Sequence, residues 1–278
     1  MNPRTALPDA LKPVVAICRD AAAAILDVYD GSEAAAVDWK ADRTPVTNAD
    51  RAAHEVLSAG LRSLGPDVPV LSEEGTEAEW DAAARASVFW LVDPLDGTKE
   101  FLKRSGDFTV NVARVEAGRP VLGVVLQPVT GQIWAAVAGS HQRGAWRLDP
   151  DGSVRSLATR VPPASPLRLA ASRDHAGPLV EAIDRDHPDT VTLTRAGSSL
   201  KFCRVAEGAA DLYIRDGRTM EWDTAAADCI VEAAGGRVCS FAGDPLRYGR
   251  APYANPSFVA VGDRSLDWRR FISSALDG

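Results

Sequence analysis

Apolar residues recur at helical spacing near the start of the chain, and this pattern predicts two amphipathic helices. The first has apolar positions from Leu11 to Leu26, and Gly31 follows as a stop signal. The second begins at Thr47 and ends before Gly65. The residues predicted to share its apolar face are Ala53, Val56, Leu57, Leu61 and Leu64.

Strand patterns dominate the next part of the chain. Phe108, Val110 and Val112 alternate with other residues, as in a strand with two different faces. Apolar stretches at residues 121–126 and 132–138 flank a Pro-Val-Thr-Gly turn, which predicts a hairpin. The first half of the chain therefore indicates helices packed on a mainly antiparallel sheet.

The rhythm changes after residues 159–166, a segment with three prolines that is the best linker candidate. Beyond it, strand-like runs alternate with helix-like stretches, which is an α/β pattern. The strand-like runs lie at residues 167–171, 191–194, 211–214, 237–241 and 258–261. We therefore predict an N-terminal α+β domain at residues 1–160 and a C-terminal α/β domain at residues 161–278.

The composition is ordinary for a globular protein, and it argues against some classes of function. The 278 residues are 46% hydrophobic and 25% charged, and the net charge of −7 argues against nonspecific nucleic-acid binding. No apolar run approaches the length of a membrane-spanning helix, and residues 1–24 lack the layout of a signal peptide. We expect a cytoplasmic protein, and the sequence leaves homodimerisation and peripheral association with the inner membrane open.

The cysteines and histidines predict neither disulfides nor a zinc site. No CxxC pair occurs, and each cysteine has apolar neighbours, which is typical of buried free thiols in a reducing compartment. The cysteines are Cys18, Cys203, Cys229 and Cys239. The four histidines are scattered, without the HxxxH or HxH spacing of zinc ligands.

The candidate chemistry begins where an apolar run at residues 88–92 leads into the sequence DPLDGT at residues 93–98. The run is typical of a buried strand, which the Pro stops and the Gly-Thr pair turns. Asp93 and Asp96 repel each other unless a cation or a proton separates them. Because Mg²⁺ is held by a few carboxylates and substrate phosphate oxygens, we hypothesise a metal-dependent phosphate site. The alternative is a turn with two solvated aspartates.

Further acidic residues accompany this motif. Glu73 and Glu74 follow a short apolar strand at residues 68–71, and Asp223 is placed as the N-cap of an Ala-rich helix. Taken singly, these features are explained by an exposed acidic turn and a plain helix cap. Asp50, near the start of the second helix, is explained equally well by the helix dipole and by catalysis.

Taken together, these elements resemble the signature of the inositol monophosphatase superfamily, a group of lithium-sensitive, magnesium-dependent phosphomonoesterases. The family pattern D…EE…DP(I/L)D(G/S)T…WDxAA is matched by Asp50, residues 73–74, residues 93–98 and residues 222–226. The resemblance covers about residues 10–265. It implies a layered α-β-α-β-α sugar-phosphatase fold, with two or three Mg²⁺ ions in a site built mostly by the first domain.

The resemblance also implies a role for each signature residue. The implied metal ligands are Glu73, Asp93, Asp96, Asp223 and the backbone carbonyl of Leu95. Asp93 would be a ligand of two ions, which lie about 4 Å apart in two-metal phosphatase sites. Asp50, Glu73 and Thr98 are the implied catalytic residues. Glu73 and Thr98 orient the attacking water, and the Thr98 hydroxyl pairs with Asp50, which makes a weak base more effective.

Two segments resemble the CysQ-type 3'(2'),5'-bisphosphate nucleotidases within this superfamily. One is residues 96–101, and the other is residues 197–203, a glycine turn that leads into a helix N-terminus where an anion can bind. Residues 172–175 match an SRxH segment of the family. The implied substrate-binding residues are Gly97, Thr98, Ser172, His175, Gly197, Ser198, Lys201 and Arg215. A Ser-capped helix with a solvated Lys201 and a surface turn at His175 are the plain alternatives.

Arg215 bears on the choice of substrate. It stands where inositol monophosphatases carry an acid that binds a sugar hydroxyl, and a cation there suits a second phosphate better. Its neighbour Asp216 leaves a surface Arg–Asp turn as the alternative.

The resemblance therefore implies a Mg²⁺-dependent phosphatase that removes the 3'-phosphate of adenosine 3',5'-bisphosphate (PAP), giving AMP and phosphate. Its sulfated relative PAPS is a second candidate substrate. An inositol-1-monophosphatase or a broad sugar phosphatase on the same scaffold is the first alternative. A catalytically inactive nucleotide-binding relative is another, but the intact signature carboxylates and Thr98 argue against it.

Overall fold

Three layers of helices enclose two β-sheets in the computed structural model, which describes residues 6–31, 37–39, 45–139, 142–173 and 176–276. The helices are α1 (Lys12–Tyr29), α2 (Asn48–Leu64), α3 (Glu77–Ala84), α4 (Thr98–Leu102), α5 (Pro178–Asp186), α6 (Leu200–Ala206), α7 (Glu221–Ala233) and α8 (Arg269–Leu276). The strands are β1 (Val37–Trp39), β2 (Pro45–Thr47), β3 (Val70–Ser72), β4 (Val88–Asp96), β5 (Thr109–Glu116), β6 (Arg119–Gln127), β7 (Gln132–Val137), β8 (Gly144–Leu148), β9 (Val154–Ser156), β10 (Leu167–Ala171), β11 (Val191–Arg195), β12 (Leu212–Arg215), β13 (Arg237–Ser240) and β14 (Phe258–Val261).

The layers follow one another as the sequence predicts. Helices α1 and α2 cover one face of a seven-stranded sheet, α6 and α7 lie between this sheet and a five-stranded sheet, and α5 and α8 cover the far side. Strands β1 and β2 form a separate antiparallel pair. The predicted α-β-α-β-α layering is therefore confirmed.

The first two helices begin and end close to the predicted positions. Helix α2 begins after Thr47, whose N–H and hydroxyl donate to the Asp50 carboxylate at 2.7 and 2.6 Å. The apolar faces of α1 and α2 pack together against the seven-stranded sheet. The prediction for Leu64 is wrong: it is the last residue of α2 and is 42% exposed.

The seven-stranded sheet has the order β3-β4-β5-β6-β7-β8-β9, and its pairs are antiparallel except for β3 and β4. The predicted hairpin is confirmed as β6 and β7. Both faces of the sheet are covered: Val110 and Val112 face the α1–α2 layer, whereas Ala113 and Val115 face the α6–α7 layer. For this reason Asn111, a polar residue of β5, is buried rather than solvated.

The five-stranded sheet has the order β11-β10-β12-β14-β13, with β10 parallel to both of its neighbours. All five strand-like runs predicted for the second half are strands of this sheet. Helix α7 approaches β6 so closely that a Cβ on Gly123 would lie 2.3 Å from the carbonyl oxygen of Ala226. Only glycine allows this contact between the middle layer and the first sheet.

The proline-containing segment at residues 159–166 forms no helix or strand and joins the two sheets. The domain boundary between residues 160 and 161 stays a prediction, because α7 from the second half packs against strands of the first sheet.

The cysteines and the helix lengths bear on two further predictions. All four cysteines are free and buried, as predicted. Among the residues that the structure describes, no helix is both long enough and apolar enough to cross a bilayer.

Candidate active site

The acidic elements of the sequence converge where β3 and β4 end. Because these strands are parallel and the N–H of Glu73 donates to the carbonyl of Val92 at 3.1 Å, Glu73 lies beside Asp93. The register of β4 against β5 shifts between Asp93 and Asp96, so both aspartates flank an irregular end of the strand. The N–H of Leu95 donates to Asp93 Oδ1 at 3.0 Å. The turn thus folds back on the Asp93 carboxylate.

Asp223 joins the cluster from the middle layer. Helix α7 begins at Glu221 and its N-cap is Met220, so the prediction of Asp223 as the N-cap is wrong. A β-bridge to Ala254 holds Met220 extended, which fixes the start of the helix two residues before Asp223. The Asp223 carboxylate accepts a hydrogen bond from the Met220 N–H at 2.8 Å.

The three aspartates form a compact set of oxygen ligands. Asp93, Asp96 and Asp223 each offer an oxygen within 4.8 Å of the others. Burial raises the pKa of Asp93 well above its usual range, and the nearby carboxylates of Glu73, Asp96 and Asp223 raise it further. Burial, followed by the charge of Asp96, likewise raises the pKa of Asp223. Carboxylates gathered against such repulsion fit a hard divalent cation such as Mg²⁺.

Asp96 is held by residues that the sequence analysis missed. Its Oδ2 accepts hydrogen bonds from the Ser199 N–H at 2.7 Å and the Ser199 hydroxyl at 3.1 Å, and Asn111 Nδ2 lies 3.5 Å away. Asn111 Nδ2 also donates to the Ser199 hydroxyl at 2.9 Å. These bonds fix one oxygen of Asp96. The available signal for this network was Asn111 between two apolar residues of β5, Val110 and Val112.

Thr98 and Asp50 meet across 48 residues of sequence. The Thr98 hydroxyl donates to Asp50 Oδ1 at 3.3 Å, while Asp50 Oδ2 caps α2 through Thr47. Burial raises the pKa of Asp50, and the hydrogen bonds from Thr47 oppose this shift. The helix-capping role and the contact with Thr98 are therefore both present, on different oxygens.

Helix α4 starts at Thr98 after a left-handed Gly97. The φ angle of Gly97 is 93°, and a Cβ there would lie 2.1 Å from Ser198 Oγ. Both the backbone angle and the close contact require glycine. The tight DGT turn is thereby pressed against the turn at residues 197–199.

A polar cleft opens directly beside the aspartates. Its lining includes Ser172, Ser198, Lys201, Arg215, Arg218 and Asp223. Lys201 Nζ donates to the Ser198 carbonyl at 2.8 Å and lies 5.4 Å from the centre of the Tyr213 ring. Burial lowers the pKa of Lys201 to about 8. Lys201 is therefore not the solvated surface lysine of the plain alternative.

Arg215 reaches the same cleft from the end of β12. Its Nε is buried and has no hydrogen-bond partner among the described residues. Asp216, the next residue, is exposed. Arg215 therefore lines the cleft and does not belong to a surface Arg–Asp turn.

The glycine turn at residues 197–199 differs from its predicted form as an open anion site. The Gly197 N–H donates to Asp107 Oδ2 at 3.0 Å, and the Ser199 N–H donates to Asp96. The Ser198 hydroxyl lies 2.8 Å from the carbonyl oxygens of both Asp96 and Asp107. The protein's own oxygens thus take these donors. His175 lies outside the described residues.

Known proteins that are similar to this chain come from one family. The model of the inositol monophosphatase family matches residues 9–269. The 3'(2'),5'-bisphosphate nucleotidase CysQ of Shigella flexneri is 46% identical over 249 residues, which cover 89% of this chain and 98% of the relative. The protein of the same name from Buchnera aphidicola is 36% identical and covers 90% of this chain and 92% of the relative.

Solved structures with the same layers include a CysQ protein and an IMPase. CysQ from Bacteroides thetaiotaomicron, described as a bacterial member of the inositol monophosphatase family, matches with a TM-score of 0.78 and 36% identity. The match covers 91% of this chain and 98% of that one. An IMPase from Thermotoga maritima matches with a TM-score of 0.77, covering 97% of this chain and 98% of that one, and at 23% identity it shows the fold alone.

Proposed function

This chain belongs to the inositol monophosphatase family, and from that membership we propose that it is a 3'(2'),5'-bisphosphate nucleotidase of the CysQ type. It hydrolyses the 3'-phosphate of PAP, giving AMP and phosphate. The observation that carries this assignment is the cleft in which Lys201 and Arg215 adjoin the aspartate cluster. A substrate with two phosphates can place one at the cluster and the other at these cations.

The acidic cluster holds Mg²⁺ in this proposal. Its ligands would be the carboxylates of Glu73, Asp93, Asp96 and Asp223 and the backbone carbonyl of Leu95, with two or three ions per site. Bound Mg²⁺ supplies charge neutralisation on the phosphoryl oxygens and lowers the pKa of the attacking water. Asp93, which is 1% exposed and surrounded by the other carboxylates, suits a bridging position.

Thr98, Asp50 and Glu73 orient the attacking water. Because the Thr98 hydroxyl donates its proton to Asp50, its lone pairs are directed to accept a hydrogen bond from water. Glu73, next to Asp93, provides a carboxylate that accepts the second hydrogen bond of that water. A water held by two acceptors keeps its lone pair aimed at phosphorus, which lowers the entropic part of the barrier.

Lys201 and Arg215 bind the second phosphate of the nucleotide. A phosphate oxygen is a strong acceptor for the buried Nε of Arg215, which lacks a protein partner among the described residues. Ser172 lines the same cleft, and Gly97 and Gly197 allow the close packing that shapes it. The 5'-phosphosulfate of PAPS offers similar oxygens, so PAPS is the second substrate that we propose. An inositol monophosphate has no second anion for these cations.

Phosphate release from PAP tests the assignment. With Mg²⁺ the protein should release one phosphate and yield AMP as the chromatographic product, and EDTA should abolish the reaction. Asp93→Asn should be the most damaging single change, because Asp93 is the one carboxylate assigned to two of the proposed ions. Asp9→Asn, which removes a charge from an exposed residue far from the cluster, is the control. Full activity in EDTA, or adenosine as the product, would exclude the proposal.

The buried free thiols support a cytoplasmic location, because reducing compartments preserve free cysteines. Homodimerisation stays a prediction.

A further inference from the structure

Asp107 does not belong to the family signature, yet its side chain joins separate parts of the site. It is 6% exposed, and its Oδ2 accepts hydrogen bonds from the Gly197 N–H at 3.0 Å and from Arg173 Nε at 2.7 Å. Another guanidinium nitrogen of Arg173 lies 2.6 Å away. A buried carboxylate with an arginine and a backbone N–H as donors is a strong, charge-assisted contact.

These partners come from different sheets. Asp107 lies just before β5 of the seven-stranded sheet, whereas Arg173 follows β10 and Gly197 follows β11 of the five-stranded sheet. Ser172, next to Arg173, lines the substrate cleft. The Asp107 side chain therefore ties the two sheets together at the edge of the cleft.

The turn at residues 197–199 connects Asp107 to a metal ligand. A Cβ on Gly197 would lie 2.6 Å from the Asp107 carbonyl oxygen, so the turn is packed directly against Asp107. Ser198 has a φ of 46°, which is unfavourable for a residue with a side chain and persists only where surrounding contacts impose it. Ser199, two residues after Gly197, donates hydrogen bonds from its N–H and its hydroxyl to Asp96 Oδ2.

We propose that Asp107 is a positioning residue for the metal centre. By holding the Gly197 N–H it keeps the 197–199 turn in its strained form, so that Ser199 fixes one Asp96 oxygen and leaves the other for the metal. Arg173 neutralises the buried charge of Asp107. The inference rests on the proposed function for its metal. Removing a group that hydrogen-bonds a metal ligand directly, as Ser199 does, changes metal affinity by about 10–100-fold, and Asp107 acts through that group.

The test uses Asp107→Ala, which removes the acceptor, and Asp107→Asn, which keeps an acceptor of the same shape. Mn²⁺ binding to the protein without substrate is measured by electron paramagnetic resonance, and the Mg²⁺ concentration for half-maximal PAP hydrolysis is measured in parallel. Asp107→Ala should weaken both by about tenfold or more. Asp107→Asn should weaken them by less, about threefold, because the Gly197 N–H keeps a partner.

Asp211→Ala is the matched control for a purely structural effect. Asp211 is 1% exposed, accepts from the N–H groups of Ala164 and Arg168, and lies 3.6 Å from Arg160, but it stands at the opposite end of β12 from Arg215. Asp211→Ala should lower the melting temperature and leave Mn²⁺ affinity unchanged. Equal Mn²⁺ affinity in the wild type and folded Asp107→Ala would overturn the inference.

A double variant separates Arg173 from Asp107. If Arg173 acts only through Asp107, then Asp107→Ala combined with Arg173→Met should bind Mn²⁺ as weakly as Asp107→Ala alone. If the losses in Mn²⁺ affinity from the two substitutions were additive, Arg173 would act independently of Asp107. If PAP were not hydrolysed at all, the proposed function would fail, while the Mn²⁺ measurements would still decide the role of Asp107.

Discussion

Two site carboxylates use the same local geometry at the level of single residues. Asp50 and Asp223 are each the third residue of a helix, and each accepts a hydrogen bond from the N–H of the N-cap residue. This bond fixes the carboxylate before any ligand arrives. The acidic residues themselves are visible in the sequence, but the position of Asp223 depends on the bridge between Met220 and Ala254, which no local pattern reveals.

Thr98→Ala should lower kcat for PAP by about 10²-fold, the size of a positioned acid–base contribution, with little change in Mg²⁺ requirement. Asp50→Asn should act in the same way, because it weakens the acceptor for the Thr98 hydroxyl. Turnover per folded molecule is the quantity to measure, since Asp50 also caps α2.

Glu79→Gln provides the control for that capping effect. Glu79 closes the capping box of α3 by accepting from the Thr76 N–H at 2.7 Å, and it is not a member of the aspartate cluster. It should lower stability as much as Asp50→Asn and leave turnover unchanged. If both variants lowered turnover equally, or neither did, Asp50 would be a helix cap only.

The cations of the cleft should decide specificity. Arg215→Met or Lys201→Met should lower kcat/KM for PAP by about tenfold to a few hundredfold, because losing a buried charged partner costs about 2–5 kcal/mol and less in an open cleft. Small monophosphates should be spared, and Arg215→Glu should shift preference toward inositol phosphate. Arg155→Met, on an exposed arginine of β9, is the control. Equal losses on both substrates would place these cations at the scissile phosphate instead.

Residues such as Asp107, Asn111 and Ser199 could not be assigned from the sequence. Their partners lie far away along the chain: Asp107 and Gly197 are 90 positions apart, and Asn111 and Ser199 are 88 positions apart. Only the packing of the two sheets brings them together. The candidate metal ligands could be identified from the sequence because they belong to a family signature. The hydrogen bonds that support them depend on tertiary structure and could not be predicted.

At the level of elements, helix α7 shows what periodicity can and cannot predict. The sequence indicates an Ala-rich amphipathic segment, yet most of the helix is buried because it lies between two sheets. Asp228, on this helix, is 2% exposed and accepts a hydrogen bond from the Tyr248 hydroxyl at 2.8 Å. Burial raises its pKa to about 7. The polar residue Asp228 therefore does not mark a solvent-facing side of α7.

Asp228→Asn should flatten the pH dependence of the free energy of unfolding. The folded pKa of about 7 exceeds the unfolded value of about 3.9, so the folded state binds more protons between these values. The contribution of Asp228 is therefore fully present below about pH 4 and is lost as the pH rises through about 7. Between about pH 4 and about pH 7, the free energy of unfolding of the variant should change by a few kcal/mol less than that of the wild type.

Urea unfolding at several pH values measures this effect. Some slope should remain, because burial also raises the pKa of Glu221 to about 7. Asp20→Asn, on the exposed side of α1, should keep the wild-type slope. An unchanged slope in Asp228→Asn would mean that Asp228 stays ionised in the folded protein throughout this range.

At the level of the whole molecule, the aspartate cluster joins the seven-stranded sheet to the middle layer of helices. Asp93 and Asp96 come from the end of β4, whereas Asp223 comes from α7 in the second half of the chain. The strand and helix patterns predict the type of each half of the chain, and the order of the layers follows from the family resemblance. Which residues meet across the layers could not be predicted, because both faces of each sheet are covered and the apolar patterns of the two faces are alike.

Mg²⁺ should therefore stabilise the entire fold, since a ligand that binds only the folded state raises its stability by mass action. We expect the melting temperature to rise with Mg²⁺ concentration. Asp223→Asn should melt higher than the wild type in EDTA, because it relieves repulsion among buried acids, and should respond less to Mg²⁺. Identical Mg²⁺ responses of the two proteins would remove Asp223 from the ligand set.

Phosphate release from PAP and from inositol 1-phosphate, measured side by side with Mg²⁺ on one preparation, tests the assignment of substrate most directly. If Lys201 and Arg215 bind a second phosphate, kcat/KM for PAP should exceed that for inositol 1-phosphate by about tenfold to a few hundredfold. A ratio near one, or a preference for inositol 1-phosphate, would contradict the nucleotidase assignment.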